Sequence, residues 1–310
     1  MFFKTLKYNL ENKLQMKVIN FISFLFLFLL ICFYFNIHQT IFYPPTSLHG
    51  WRQADAASIT LNYYQNGFEF ANQKYHLNGG GSGRKLTECP ILYYFIANLY
   101  RLFGVHDWIF RGTSILIVFF GFFALSRLTF KIVENKFISF IFPFFLFASP
   151  TVAYYSPNFL PNMPAFGFIL IALYFIGKYF ETKKLKFHYA SMLFFLLAGL
   201  LKITSIIPAI AIFVILLLER LQKNSEQTYF FHSKWKPLFS FLMMFSGVIF
   251  WASGTSDLGP LEPIWKLDQE FIERTFTWIY EYSIPYLFST PTVILFLILF
   301  ILLFFYSFQI

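Results

Sequence analysis

The segment His49-Gly-Trp51-Arg52-Gln53-Ala-Asp55 brings together side chains that could do chemistry. An imidazole, an indole, a guanidinium and a carboxylate follow directly after the first long apolar stretch of the chain. Charged groups at the edge of a bilayer are costly, and their presence points to a polar or charged ligand. The combination predicts a site for such a ligand.

A short helix would place these side chains on one face. Spacings of three and four residues share a helix face, so Trp51, Arg52 and Asp55 converge if a helix begins shortly after Ser47. Such a helix is expected to lie along the membrane surface.

Three further positions could complete a site. Glu88 precedes Cys89-Pro90 and an apolar run, where a carboxylate serves either a site or the dipole of the next helix. Lys202 is a lone ammonium in Gly199-Leu-Leu-Lys202, and either binds an anion such as a lipid phosphate or extends to the interface. Three prolines within eight residues, Pro157, Pro161 and Pro164, predict a stiff, extended turn that places Asn158 and Asn162 at the mouth of the next span.

The composition excludes a soluble globular protein. The chain has 310 residues, of which 57% are hydrophobic and only 13% are charged, so it carries more apolar surface than one core could bury. The net charge of +9 is interpreted as a membrane-topology signal, and nucleic acid is not an expected partner. Cys32 and Cys89 form no metal-binding pattern.

The apolar runs predict an all-α polytopic membrane protein. They occupy residues 18–37, 90–103, 108–126, 137–150, 162–180, 187–201, 203–218, 237–252 and 291–310. The run 90–103 is too short to cross upright and is predicted to lie at the interface, which leaves about eight crossings. This arrangement puts most of the 24 Lys and Arg residues inside, with the N-terminus in the cytoplasm.

Three outer regions follow from this topology. The loop 38–107 carries the candidate catalytic residues and juxtamembrane helices, and the loop 149–161 is short. The region 253–290 contains a predicted amphipathic helix on the outer surface. The whole chain, 1–310, is expected to be a single transmembrane domain.

The segment His49–Asp55 resembles the opening motif of polytopic GT-C glycosyltransferases, the superfamily of protein O-mannosyltransferases and lipid A aminoarabinose transferases. Four later segments resemble further motifs of this family, in the order expected there: Glu88-Cys-Pro-Ile-Leu-Tyr-Tyr, Arg111-Gly-Thr-Ser114, the segment 155–164, and Gly199-Leu-Leu-Lys202. The resemblance covers roughly residues 18–220.

The resemblance implies transfer of a sugar from a polyprenyl-phosphate donor to a glycan, lipid or protein acceptor outside the membrane. Asp55 would be the general base, and Arg52 and Lys202 would bind the donor phosphate. The sugar would be positioned by His49, Trp51, Glu88 and Asn162. The implied location is a bacterial inner membrane, the partners are membrane lipid and the lipid-linked sugar, and no cofactor other than a divalent metal of undetermined need is implied.

Two departures from the family pattern bear on these expectations. Family members commonly carry a second carboxylate where this chain has Asn162, and they usually continue through more spans, so the chain is interpreted as either a truncated or a minimal member. Two alternatives stay open from the sequence: a transporter or flippase for a lipid-linked saccharide, and a non-catalytic relative. A transporter would be expected to bind its cargo near the midplane, whereas the charges here cluster in the outer loops.

Overall fold

A computed structural model describes residues 21–67, 69–70, 73–74, 88–221 and 236–254, and the single positions 273, 277 and 281. The regular elements of these ranges are helical, as predicted, and none is a β-strand. They are α1 (Phe21–Tyr34), α2 (Ile37–Thr40), α3 (Gly50–Asn66), α4 (Ile91–Phe103), α5 (Asp107–Val133), α6 (Lys136–Phe147), α7 (Pro150–Tyr155), α8 (Asn162–Thr182), α9 (Leu185–Leu201), a 3-10 turn (Ile203–Ile206), α10 (Ile207–Leu221) and α11 (Lys236–Gly254).

Two described helices, α5 and α8, are long and apolar enough to cross a membrane by length and composition. They have 27 and 21 residues. The total of eight crossings stays a prediction. The last predicted run, 291–310, lies outside the described residues, as does most of the amphipathic helix predicted in 253–290.

Helices α5 and α8 pack so closely that only glycine fits where they cross. A Cβ atom added to Gly121 would lie 2.7 Å from the Cα atom of Gly167, and one added to Gly167 would lie 2.9 Å from the carbonyl oxygen of Ile117. Small residues allow such close approach in membranes, where packing rather than the hydrophobic effect drives helix association.

Phenylalanine rings fill the space between α1 and its neighbours. Phe24 packs on Phe144 and Phe28 stacks on Phe147, each at a centroid distance of 4.5 Å. Phe119 of α5 contacts both α1 rings. A separate cluster joins the far side of α8 to α9, α10 and α11.

Helices α3 and α4 form a pair that covers one end of the bundle. Ile59 and Tyr63 of α3 are buried together with Ile96 of α4, and this cluster includes Phe110 at the start of α5 and Leu201 at the end of α9. We refer to this end of the molecule as the α3–α4 end. The helix α4 has only 13 residues, in keeping with the short run predicted there, and its position at the membrane interface stays a prediction.

The opposite end holds the segments predicted to face the cytoplasm. Lys131, near the end of α5, forms an ion pair with Glu181, near the end of α8. The segments 127–136 and 178–186 therefore lie at the same end of the molecule, as the charge distribution predicts.

The segment 149–164 contains a short helix followed by a connection. Residues Pro150–Tyr155 form the helix α7, and residues 156–161, with Pro157 and Pro161, form turns and bends that lead into α8. Pro150 occupies the first turn of α7, where the missing N–H would have had no partner within the helix. Asn158 is consequently buried after α7, while Asn162 is exposed at the first position of α8.

We expect Gly121→Ala to lower the free energy of unfolding by about 1–3 kcal/mol, because the added methyl group overlaps the backbone of Gly167. Gly112→Ala in the same helix is the matched control. Its methyl group would meet only the Ile41 side chain, at 3.8 Å, so it should be neutral or stabilising by up to about 1 kcal/mol. Thermal unfolding of the purified variants in detergent compares the two. Equal melting temperatures would contradict a glycine-dependent crossing.

Candidate active site

The carboxylate of Glu88 joins two of the predicted cations. Its Oε1 atom accepts a hydrogen bond of 2.8 Å from Nη2 of Arg52 and lies 3.9 Å from Nζ of Lys202. The three side chains come from α3, from the segment before α4 and from the residue after α9. We call them the Glu88 cluster. The side chains of Arg52 and Lys202 are 35% and 31% exposed, and that of Glu88 is 16% exposed. A ligand can therefore reach the two cations, while the carboxylate is largely covered.

Backbone hydrogen bonds fix the position of Glu88. The N–H of the next residue, Cys89, donates to the carbonyl oxygen of Leu200 at 3.1 Å, which ties this segment to the end of α9. Nε2 of Gln73 donates to the carbonyl oxygen of Glu88 at 2.8 Å. These bonds hold the Glu88 backbone beside Lys202, which follows α9 in an extended conformation.

Glu88 does not cap α4. The N-cap residue of that helix is Pro90, and no side chain makes a capping hydrogen bond there. The carboxylate turns instead to Arg52 and Lys202, so of the two interpretations that the sequence left open, a role in a polar cluster agrees with the geometry.

The start of α3 is positioned by Gln53, which has no exposed surface. Its Nε2 atom donates to the carbonyl oxygens of Thr46, at 2.9 Å, and Leu48, at 3.0 Å. His49, the N-cap residue, has a φ of 56°, in the left-handed region that non-glycine residues rarely adopt. The two hydrogen bonds stabilise this turn and thereby aim the first turn of α3, which carries Arg52.

The predicted helix over the first motif is confirmed, with α3 beginning at Gly50. Asp55 is half-buried and lies one turn beyond Arg52, so the two share a helix face as the spacing predicts. Trp51 is 69% exposed at the surface. The His49 ring lies near that of Tyr155, at a centroid distance of 6.0 Å.

The structure thus brings together Arg52, Glu88 and Lys202 out of the predicted site residues. Within the part of the chain that the structure describes, no hydrogen bond or ion pair joins His49, Trp51 or Asn162 to this cluster. These ranges also contain no group of three or more His, Cys, Asp and Glu side chains that could hold a metal ion.

Arg111 is a buried residue for which the sequence suggested no specific role. Its guanidinium donates to three backbone carbonyl oxygens, those of Tyr43, Pro44 and Pro157, each at 2.9 Å. Its Cζ atom also lies 4.6 Å from the centroid of the Phe159 ring. The side chain therefore ties the segment before α3 and the segment before α8 to the start of α5. The sequence feature that could have indicated this role is an arginine at the beginning of an apolar run. A charged side chain in such a position is costly, which points to a structural or functional role.

A cavity of about 430 Å³ lies beside Arg111. Its polar lining includes Ser47, Tyr154 and Asn158. Nδ2 of Asn158 is buried without a hydrogen-bond partner in the described residues. The cavity is large enough for a small polar ligand and offers hydrogen-bond donors to it. Asn158 is thus a buried amide beside the cavity, whereas the predicted site residue Asn162 is exposed.

A family model described as dolichyl-phosphate-mannose-protein mannosyltransferase matches residues 87–251, a little more than half of the chain. The matched range begins one residue before Glu88 and includes Asn162 and Lys202, but it excludes the segment His49–Asp55. No curated protein and no solved structure matches the chain.

Proposed function

Because the chain belongs to the dolichyl-phosphate-mannose-protein mannosyltransferase family, which is of the GT-C glycosyltransferase type, we propose that it transfers a sugar from a polyprenyl-phosphate donor to an acceptor at the outer face of the membrane. The observation that carries this proposal is the Glu88 cluster, in which two cations share one carboxylate at the α3–α4 end. The cluster keeps one net positive charge, which favours an anionic ligand.

The proposed reaction replaces one bond at the anomeric carbon of the sugar. The acceptor oxygen forms a bond to that carbon, the bond from the carbon to the phosphate oxygen breaks, and the polyprenyl phosphate leaves with the electron pair. The acceptor hydroxyl releases its proton to a base. We assign Asp55 as this base, because it lies one helical turn from Arg52 and thus close to the proposed phosphate site.

Arg52 and Lys202 are the proposed phosphate ligands. Arg52 already donates to Glu88, and its guanidinium has further N–H groups that can reach a phosphate. Lys202, at 3.9 Å from Glu88, makes an ion pair too long for a hydrogen bond, so its three donors remain available to the leaving phosphate. Cations in fixed positions stabilise the charge that develops on the leaving group.

The remaining assignments concern the sugar. The exposed indole of Trp51 can stack on a sugar ring, and His49, Glu88 and Asn162 can offer hydrogen bonds. The polyprenyl tail would lie in the lipid against the phenylalanine-rich helices, so the donor would arrive laterally and the acceptor from the aqueous side. The charges of the Glu88 cluster lie at helix ends, which favours a transferase over a carrier that binds near the midplane.

The proposed topology is a bacterial inner-membrane protein with a cytoplasmic N-terminus, and its support is the position of Lys131 and Glu181 at the end opposite the Glu88 cluster. Single cysteines at Asn78, Asn135 and Lys184 are to be treated with an impermeant thiol reagent in intact cells. We expect labelling at Asn78 alone. Both native cysteines are buried, and burial raises the pKa of the Cys89 thiol to about 11, so little reactive thiolate is expected there at neutral pH. Labelling at Asn135 or Lys184 without permeabilisation would contradict the topology.

Lys202→Met is expected to weaken donor binding while the fold persists, because the methionine fills similar space without the charge. The loss should be about 1.5–3 kcal/mol, the range of a hydrogen bond to a charged group. Binding of a polyprenyl-phosphate sugar to the purified protein measures it, and Lys136→Met, an exposed change at the opposite end, is the control. Equal binding by Lys202→Met and the parent would mean that this ammonium only extends to the interface.

Asp55→Asn is expected to abolish transfer while donor binding persists, because the amide keeps the shape but cannot accept the proton. Loss of a general base lowers the rate by about 10²–10⁴. Asn162→Ala should cost less, since an exposed amide can only position a ligand. The measurement compares polyprenyl-linked sugars and surface glycans by mass spectrometry in cells that lack the gene and carry the parent or a variant. Transfer by Asp55→Asn at the parental level, or a greater loss in Asn162→Ala, would refute the assignment.

A further inference from the structure

An apolar groove runs along α5 and α8 away from the Glu88 cluster. It encloses about 520 Å³, and its walls include Ile117, Phe120, Phe168, Tyr174, Phe175 and the α9 ring of Phe194. The Phe175 and Phe194 rings stack nearly parallel, with a centroid distance of 5.7 Å and an interplanar angle of 9°. The walls are thus smooth and aromatic, which suits a hydrocarbon chain.

Cations gather where the groove ends. Arg127 forms part of its wall, with Cζ 5.5 Å from the centroid of the Phe123 ring. Nζ atoms of Lys131 and Lys178 lie 5.9 Å and 5.7 Å from the centroid of the Tyr174 ring. Lys131 is paired with Glu181, but neither Arg127 nor Lys178 has an ion-pair partner among the described residues. The groove therefore ends in a group of three cations and one carboxylate.

The length of the groove corresponds to one leaflet. Ile117 and Arg127 are separated by ten residues of α5, which is about 15 Å along a helix. The hydrocarbon core of a bilayer is about 30 Å thick, so this distance spans about half of it. A lipid whose headgroup meets Arg127 would place its chains beside Phe120 and Phe168.

We propose that this groove binds one anionic phospholipid of the leaflet opposite the Glu88 cluster, with the phosphate between Arg127 and Lys178 and an acyl chain along α5 and α8. Charge complementarity identifies the occupant. A zwitterionic headgroup would bring its own cation toward Lys131, whereas an anionic headgroup satisfies both unpaired cations. A donor whose phosphate binds at Lys202 would leave Arg127 and Lys178 without an anion, because they lie toward the other end of α5 and α8.

Native mass spectrometry of the purified full-length protein tests this site. The probes are phosphatidylglycerol and phosphatidylcholine with identical acyl chains. We expect one phosphatidylglycerol to be retained in preference to phosphatidylcholine. Arg127→Gln and Lys178→Gln should each weaken its retention about five-fold, which corresponds to the roughly 1 kcal/mol of a basic residue near an anionic membrane surface. Arg127→Lys, which keeps the charge, should retain most of the preference.

Lys136→Gln is the matched control, because Lys136 is exposed at the same end of the bundle but lies outside the groove. Circular dichroism and gel filtration exclude variants that fail to fold. Equal retention of the two phospholipids, or an equal effect of Lys136→Gln and Arg127→Gln, would overturn the proposal. Displacement of phosphatidylglycerol by one equivalent of a polyprenyl phosphate would also overturn it and would assign the groove to the donor tail. Because Arg127 and Lys178 are not part of the proposed transfer site, this result is independent of sugar transfer.

Discussion

The close crossing of α5 and α8 at Gly121 and Gly167 is the constraint on which both ends of the molecule depend. The two helices run in the same direction, so their first residues meet at the α3–α4 end and their last turns meet at Lys131 and Glu181. Because the two glycines at the crossing have no side chains, the residues of α5 and α8 on either side of them also approach closely. The aromatic groove along α5, α8 and α9 is the space that remains beside this contact.

Arg111, near the start of α5, holds two loop segments in fixed positions relative to this helix pair. A buried guanidinium is costly unless its donors find partners, and here three carbonyl oxygens from two separate segments accept hydrogen bonds from Nε, Nη1 and Nη2. Because the three acceptors are neutral carbonyl oxygens, these bonds join the two segments but leave the positive charge of Arg111 in place. The segment before α3 is thereby held near the start of α5, and Gln53 sets the direction in which α3 departs. The position of Arg52 follows from both contacts.

The sequence predicted local features well and long-range pairings poorly. The helical character of the apolar runs, the start of α3 near Ser47 and the short α4 follow from periodicity and length, which are properties of neighbouring residues. The pairing of Arg52 with Glu88 joins residues 36 positions apart, and no periodic pattern encodes it. Glu88 precedes α4, so its carboxylate could be explained locally by an interaction with the dipole of that helix. Nothing in the sequence distinguishes this interaction from the contact with Arg52. Asn158 and Asn162 were equivalent in sequence, and only the folding of α7 distinguishes the buried amide from the exposed one.

The geometry of the Glu88 cluster suggests different contributions from its two cations under the proposed function. Arg52 is already hydrogen-bonded to Glu88, so a donor phosphate must share it with that carboxylate. Lys202 is only in ion-pair contact, at 3.9 Å, and can form new hydrogen bonds without breaking one to Glu88. Charge on the leaving phosphate rises as its bond to the sugar breaks, and a group accelerates the reaction only when it binds the transition state better than the ground state. Arg52 would then chiefly orient the bound donor, whereas Lys202 would contribute most as the phosphate departs. Glu88 would keep both cations in place when no donor is bound, since without it the two positive charges would repel each other.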